Sequence, residues 1–165
     1  MKVKDAMHHG VLCIGPNAPI SEIAECMRDA GIRAMPIQQG RQLVGIVTDR
    51  DIARRVLANG TDLEMMTAKD IMTRKIVSCS PDDDLRAAIT LMEDNQIRRL
   101  PVMDCQGNLV GMLSLGDISQ RIISALSRRS TTAVTKPSFG CDDHERWLKE
   151  ILQDERSRIE AGRVC

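Results

Sequence analysis

The chain has 165 residues, with 23 Lys+Arg against 23 Asp+Glu, and is 42% hydrophobic and 28% charged, the make-up of a folded globular protein of one domain or two small ones. A balanced charge offers no basic field for nucleic acid or anionic lipid, and nothing before Phe139 and Trp147, the only aromatic residues, can stack on a base or cation. No stretch nears the roughly 18 uninterrupted apolar residues of a membrane span.

The opening MKVKDAMHHG lacks the apolar core of a signal peptide, so the expected location is cytoplasmic, without membrane insertion. Cys13, Cys26, Cys79, Cys105, Cys141 and Cys165 include no C-x-x-C pair and read as free thiols in a reducing compartment. In chain order, VLCI (11–14) predicts a short strand. Ile20, Ile23, Ala24 and Met27 then fall at i, i+3, i+4, i+7 and predict an amphipathic helix, closed by Gly31 as a left-handed cap. AMPI (34–37) and LVGIV (43–47) flank the turn-rich QQGRQ and predict a hairpin, followed by a second helix.

Residues 57–69 form a connection, after which the pattern returns. Leu85, Ala88, Ile89 and Met92 repeat the helical stripe, Asn95 lies near the place of Gly31, and RLPVM and LVGML flank DCQGN. From Ser127 to Gly140 the chain is polar and reads as a linker. Asp142 and Glu145, at capping-box-like spacing, precede Trp147, Leu148, Ile151 and Leu152, which predict a short amphipathic helix ending near Gly162.

The recurrence is an internal duplication. Residues 5–38 align with 70–103, matching Asp5 with Asp70, Met7 with Met72, Pro16 with Pro81, Met27 with Met92, Ile32-Arg33 with Ile97-Arg98 and Pro36 with Pro101. After one inserted residue near Cys105–Gly107, LVGIVTDRDIARRV (43–56) aligns with LVGMLSLGDISQRI (109–122). A unit of about 60 residues buries too little surface to be comfortably stable alone. The expected fold is therefore α/β, two βαββα repeats packed about a pseudo-twofold axis with a ligand groove between them, plus a C-terminal amphipathic helix. The boundaries read as repeat 1 at 1–60, repeat 2 at 61–127, linker at 128–141 and tail at 142–162.

Chemistry concentrates at Thr48 and Asp51 in GIVTDRDI (45–52) and at Ser114 and Asp117 in GMLSLGDI (111–118). A Ser/Thr-x-x-Asp spacing before an apolar helix is an N-terminal cap, the hydroxyl accepting from an early helical N–H. The same strand-to-helix turn presents backbone N–H groups and the positive end of the helix dipole, which suit a phosphate, while an acceptor-only carboxylate suits the paired hydroxyls of a ribose. Arg33, Arg98 and Arg99, at the start of each hairpin, are candidate phosphate forks or, equally, surface arginines paired with a nearby acid.

The duplicated pattern of Asp-x-Met, a Pro after the first strand, IRAMP or IRRLP, and LVGIVTDRDI or LVGMLSLGDI resembles a tandem pair of CBS domains over about residues 3–126. The resemblance implies a stand-alone regulatory module with two clefts for adenosine-containing ligands (AMP, ADP, ATP or S-adenosylmethionine), signalling as a homodimer to a regulated enzyme or transporter. It implies that Thr48 and Asp51 hold ribose and phosphate in one cleft, and Ser114 and Asp117 in the other. Adenine would be lined by Met7, Gly10 and Leu12 in copy one and by Met72, Lys75 and Val77 in copy two, residue types that equally serve core packing. Leu115-Gly116 stands where the first copy has Asp49-Arg50, so the clefts are expected to be unequal, with the arginine-bearing Thr48/Asp51 cleft favoured.

No G-x-x-x-x-G-K-S/T, G-x-G-x-x-G or H-E-x-x-H motif occurs, and GMLSLG misses the G-x-S-x-G spacing by one residue, so no catalytic residue, resident cofactor or metal is expected. Two other readings stand beside the nucleotide sensor. One is a metal or redox sensor using Cys141-x-x-His144, His8-His9 and the thiols, although zinc wants three or four ligands. The other is an interaction protein acting through the Trp147 helix.

Overall fold

The computed structural model describes residues 1–55, 65–127 and 153. The chain is mixed α/β. After a 3-10 turn at Val3–Asp5 come α1 (Ile20–Asp29), β1 (Ala34–Gln39), β2 (Gln42–Thr48), α2 (Asp49–Arg55), α3 (Ala68–Ile71), α4 (Leu85–Asp94), β3 (Arg99–Met103), β4 (Leu109–Ser114) and α5 (Leu115–Ser127). β1 pairs with β2 and β3 with β4, giving two two-stranded sheets. The linker and tail expected at 128–141 and 142–162 lie outside the described residues, except Gln153, which is helical.

Helical periodicity dictates α1 and α4. Ile20, Ile23 and Met27 are buried along α1, and Leu85, Ala88, Ile89 and Met92 along α4, each fully buried aliphatic contributing about 1.5–3 kcal/mol. Asp84 caps α4, its carboxylate accepting from the Arg86 N–H at 2.8 Å. Gly31 ends the first turn with φ +63°. In the second copy the left-handed residue is Gln96 (φ 53°) rather than Asn95, which sits one position earlier and donates its side-chain amide to the Leu91 carbonyl at 2.9 Å.

The strands of the first hairpin extend into QQGRQ, leaving Gly40 (φ +62°) and Arg41 as the turn, with a register shift at Ile37/Gln38. The second hairpin's loop is organised by Asp104, whose carboxylate accepts from the backbone N–H groups of Gln106 (2.9 Å) and Asn108 (2.8 Å).

The strand expected at VLCI (11–14) does not form. Only Ile14 pairs, in a single parallel bridge with Ile37, its N–H donating to the Pro36 carbonyl at 3.2 Å and its carbonyl accepting from Gln38 at 2.9 Å. Gly10, in the left-handed region, redirects the chain just before this segment, and Pro16, with no N–H to donate, follows it. Cys79 repeats this bridge with Val102.

Two compact units result. Among the described residues, one comprises Met1–His8, Cys79–Val102 and the chain from Met112 to Ser127, and the other those of His9–Ser78 and Met103–Gly111. The units therefore cross the repeats, because each repeat's opening segment is bonded to the other repeat's first long helix. In the first unit Val3 N–H donates to Asp83, Lys4 N–H to Pro81 and Leu85 N–H to the Met1 carbonyl, at 2.9, 2.9 and 3.0 Å. In the second, Ala68 donates to Ala18, Lys69 to Pro16 and Ile20 to Met66 at 2.9, 2.9 and 3.0 Å, the same bonds at the aligned positions. Val3 and Ala68 are the fully buried plugs of these contacts. The Asp-x-Met openings are turns closed by their own aspartates: Asp5 accepts from the Lys2 N–H at 2.8 Å, and Asp70 from the Thr67 N–H and hydroxyl at 2.9 and 2.7 Å.

The second unit's core joins Ile20, Ile23, Met27, Met35, Ile37 and Val47 with Ala68, Ile71 and Met72. A side chain at Gly45 would meet Met72 Sδ at 2.5 Å, so this glycine is where the opening segment of the second repeat seats against β2. Beside it Thr73 and Ile46 exchange N–H···O bonds of 2.9 and 3.1 Å.

Candidate functional site

Each hairpin's second strand runs directly into a helix, and the junction carries the Ser/Thr-x-x-Asp sequence. At the first junction Asp51 Oδ2 accepts from the Thr48 N–H (2.9 Å) and hydroxyl (2.7 Å), while Thr48 Oγ1 accepts from the Asp51 N–H (3.2 Å). At the second, Asp117 Oδ2 accepts from the Ser114 N–H (2.8 Å) and hydroxyl (2.6 Å), and Ser114 Oγ from the Asp117 N–H (3.2 Å). Both junctions are thus closed capping boxes that use one carboxylate oxygen, Oδ2, and leave Oδ1 outside the cap's own hydrogen bonds.

The two Oδ1 atoms have different neighbours. Asp51 Oδ1 lies 3.6 Å from Arg55 one helical turn on, an ion pair longer than a hydrogen bond. Asp117 Oδ1 accepts from His8 Nε2 at 2.8 Å. The residue aligned with Arg55 is Arg121, whose Nε is buried with no hydrogen-bond partner among the described residues. His8 is delivered by the exchanged opening segment: its N–H donates to the Met112 carbonyl at 2.9 Å and its carbonyl accepts from Met112 at 3.0 Å. Thr73 occupies the matching place against Ile46 on β2.

The arginines at the hairpin starts do border the turns through their backbones. The Arg33 carbonyl accepts from Asp49 N–H at 3.3 Å, and the Arg98 carbonyl from Leu115 N–H at 3.2 Å. Arg33 Nε donates to Asp49 Oδ2 at 2.7 Å in an exposed pair, and the other Asp49 oxygen accepts from the Arg50 N–H at 2.9 Å. Asp49 therefore occupies an amide that a phosphate would want, whereas Leu115 offers Gly116 no such acceptor. Arg50 is exposed beside the turn, Arg98 is exposed, and Arg99 is half-buried on β3.

Of the residues expected around adenine, Met7 lies in the unit of Ser114 and Asp117, and Met72 in that of Thr48 and Asp51, the reverse of their repeats. Met72 is buried in the core, Met7 and Val77 are half-buried, Gly10 and Lys75 are exposed, and Leu12 is 54% exposed. Four residues at the turns are missing from the sequence-derived set: Asp49, Arg55, Thr73 and His8. Arg55 was legible as the i+4 partner of Asp51. His8 and Thr73 were not, since only the exchange of opening segments carries them there.

No group of three or more His, Cys, Asp or Glu able to hold a metal occurs among the described residues, and Cys141 and His144 lie outside them. No helix among the described residues is long and apolar enough to cross a membrane.

A family model described as the CBS domain matches residues 3–58 and 68–124. The chain is 41% identical over 117 residues to the CBS domain-containing protein YhcV of Bacillus subtilis, covering 71% of this chain and 82% of that protein. Among solved structures, the CBS domain pair of protein MJ0100 in complex with 5-methylthioadenosine and S-adenosyl-L-methionine matches with TM-score 0.67 at 30% identity, covering 73% of this chain and 98% of that one. Hypoxic Response Protein I with two coordinated zinc ions matches with TM-score 0.66 at 32% identity, over 73% and 98% of the two chains. The chain belongs to the CBS-domain family and carries a tandem pair of CBS domains.

Proposed function

We propose that the protein is a regulatory module that binds an adenosine-containing ligand at its Thr48/Asp51 and Ser114/Asp117 turns and passes the bound state to a partner protein. The observation that carries this reading is the twofold capping box at a strand-to-helix junction, in each of which the hydroxyl is bonded to Oδ2 and the aspartate's Oδ1 lies outside the cap. A cis-diol needs a carboxylate acceptor of this kind, and a phosphate needs the hydroxyl, turned from its cap, and the backbone N–H groups beside it. The bound 5-methylthioadenosine and S-adenosyl-L-methionine of the MJ0100 pair support adenosine as the common element.

In this reading Arg33, Arg50, Arg98 and Arg99 supply positive charge to a phosphate, and Met7 and Met72, each in the same unit as one of the turns, the apolar contacts to adenine. The ligand acts as a signal only if it binds two arrangements of the protein unequally. The module works as a homodimer that regulates an enzyme or transporter and catalyses no reaction itself. Calorimetric titration with AMP, ADP, ATP and S-adenosylmethionine tests it. Asp51→Ala and Asp117→Ala should each remove one binding event, and binding indifferent to both substitutions would overturn the assignment.

A further inference from the structure

The two turns are alike in their caps and unlike in what holds the second carboxylate oxygen. At Asp117 both oxygens are engaged, Oδ2 by Ser114 and Oδ1 by the His8 imidazole at 2.8 Å. At Asp51, among the described residues, Oδ2 is the hydrogen-bonded oxygen, and Oδ1 has Arg55 as an ion-pair partner at 3.6 Å. Thr73, which takes the place of His8 beside the first turn, makes no side-chain bond to Asp51 among the described residues. His8 is anchored by two backbone bonds to Met112, and its side chain is 78% exposed. An imidazole with hydrogen on Nε2 donates to a carboxylate in either of its protonation forms.

The geometry points to His8 as the residue that sets the order in which the two turns fill: it hydrogen-bonds the Asp117 oxygen that a ligand diol would take, so ligand enters first the Thr48/Asp51 turn, where that oxygen meets only the longer Arg55 ion pair, and reaches the Ser114/Asp117 turn by displacing the imidazole. This rests on the adenosine-site reading above. It is independent of the arginine content of the turns, because the competing group comes from the opening segment of the chain rather than from the motif. The imidazole is exposed and the Asp117 side chain is mostly buried, so the pair is wet on one side only and holds its partner weakly; the latch grades affinity without closing the site, by about two- to fivefold.

The test is calorimetry with AMP on the full chain in an Asp51→Ala background, which isolates the second turn, repeated in Asp51→Asn to retain an acceptor for the first cap. His8→Ala should tighten AMP at the second turn about two- to fivefold, and His8→Gln, which keeps a neutral donor of similar reach, should fall between. In an Asp117→Ala background the same His8 substitutions should leave AMP binding at the first turn unchanged. Equal or weaker binding on His8→Ala would overturn the inference, weaker binding meaning that the imidazole holds ligand rather than the empty site. If AMP binding ignores both aspartate substitutions, the adenosine-site reading fails instead. Binding gained by Asp51→Ala/His8→Ala where Asp51→Ala alone shows none would support the latch, and absence of binding in both would sink it.

Discussion

Gly45→Ala should destabilise the protein by about 2 kcal/mol through one contact. A methyl carbon at position 45 would stand 2.5 Å from Met72 Sδ, 2.8 Å from its Cγ and 3.0 Å from its Cβ. Comfortable separation for such atoms begins near about 3.5 Å, so three atoms are overlapped. The thioether can turn aside, but Cβ moves only with the backbone, and that backbone is tied to β2 by the Thr73–Ile46 bonds of 2.9 and 3.1 Å. Overpacking of this kind costs about 1–3 kcal/mol. Met72 is 6% exposed, and Met72→Ala alone should cost about 2–5 kcal/mol. In the double variant the methyl fills part of the vacated space, so the combined loss should fall short of the sum by about 1 kcal/mol or more. Urea unfolding followed by far-ultraviolet circular dichroism measures all four proteins, with equal m-values as the check that stability alone has changed. A Gly45→Ala protein within about 0.5 kcal/mol of the parent, or strictly additive losses, would refute the claim that the opening segment of the second repeat is seated on this glycine.

Three further outcomes follow from individual residues. Gln96 holds φ 53° without being glycine, so Gln96→Gly should raise stability by about 0.5–1 kcal/mol once the entropy of glycine is set against the relieved strain, read as a higher urea midpoint. Burial pushes the Cys79 thiol up to about 11, so iodoacetamide at pH 8 should leave its peptide unmodified in the folded protein while labelling that of exposed Cys105, with mass spectrometry as the readout. The Thr67 hydroxyl, and then its backbone N–H, hold the Asp70 carboxyl below its usual range. The stability this confers is present above the ordinary carboxylate range and is lost as pH falls through the lowered value, so below pH 4 the urea midpoint should drop more steeply in the parent than in Asp70→Asn.

Much of the local architecture was legible because it rests on interactions within one helical turn or one hairpin. The stripes of α1 and α4, the paired strands around QQGRQ and DCQGN, and the two Ser/Thr-x-x-Asp caps all follow from spacings of three, four or two residues. The expected strand at 11–14 failed because a run of apolar residues says nothing about whether its N–H groups have partners. Gly10 before it and Pro16 beyond it leave Ile14 as the one residue that pairs. In the second copy the left-handed residue is Gln96, the position aligned with Gly31 and next to the Asn95 expected near it.

The sequence by itself determined that one unit occurs twice, where its helices and hairpins lie, and that each copy ends on a hydroxyl and a carboxylate three residues apart. Only the tertiary structure decided that the opening segments are exchanged, bringing His8 to Asp117 and Thr73 beside the strand of Thr48. The physical reason is that an opening segment meets complementary hydrogen-bonding groups in either copy: Val3 and Ala68 make the same bonds at aligned positions of opposite repeats. Nothing local distinguishes the two pairings, so the choice lies in the tertiary packing, and with it the difference between the two turns.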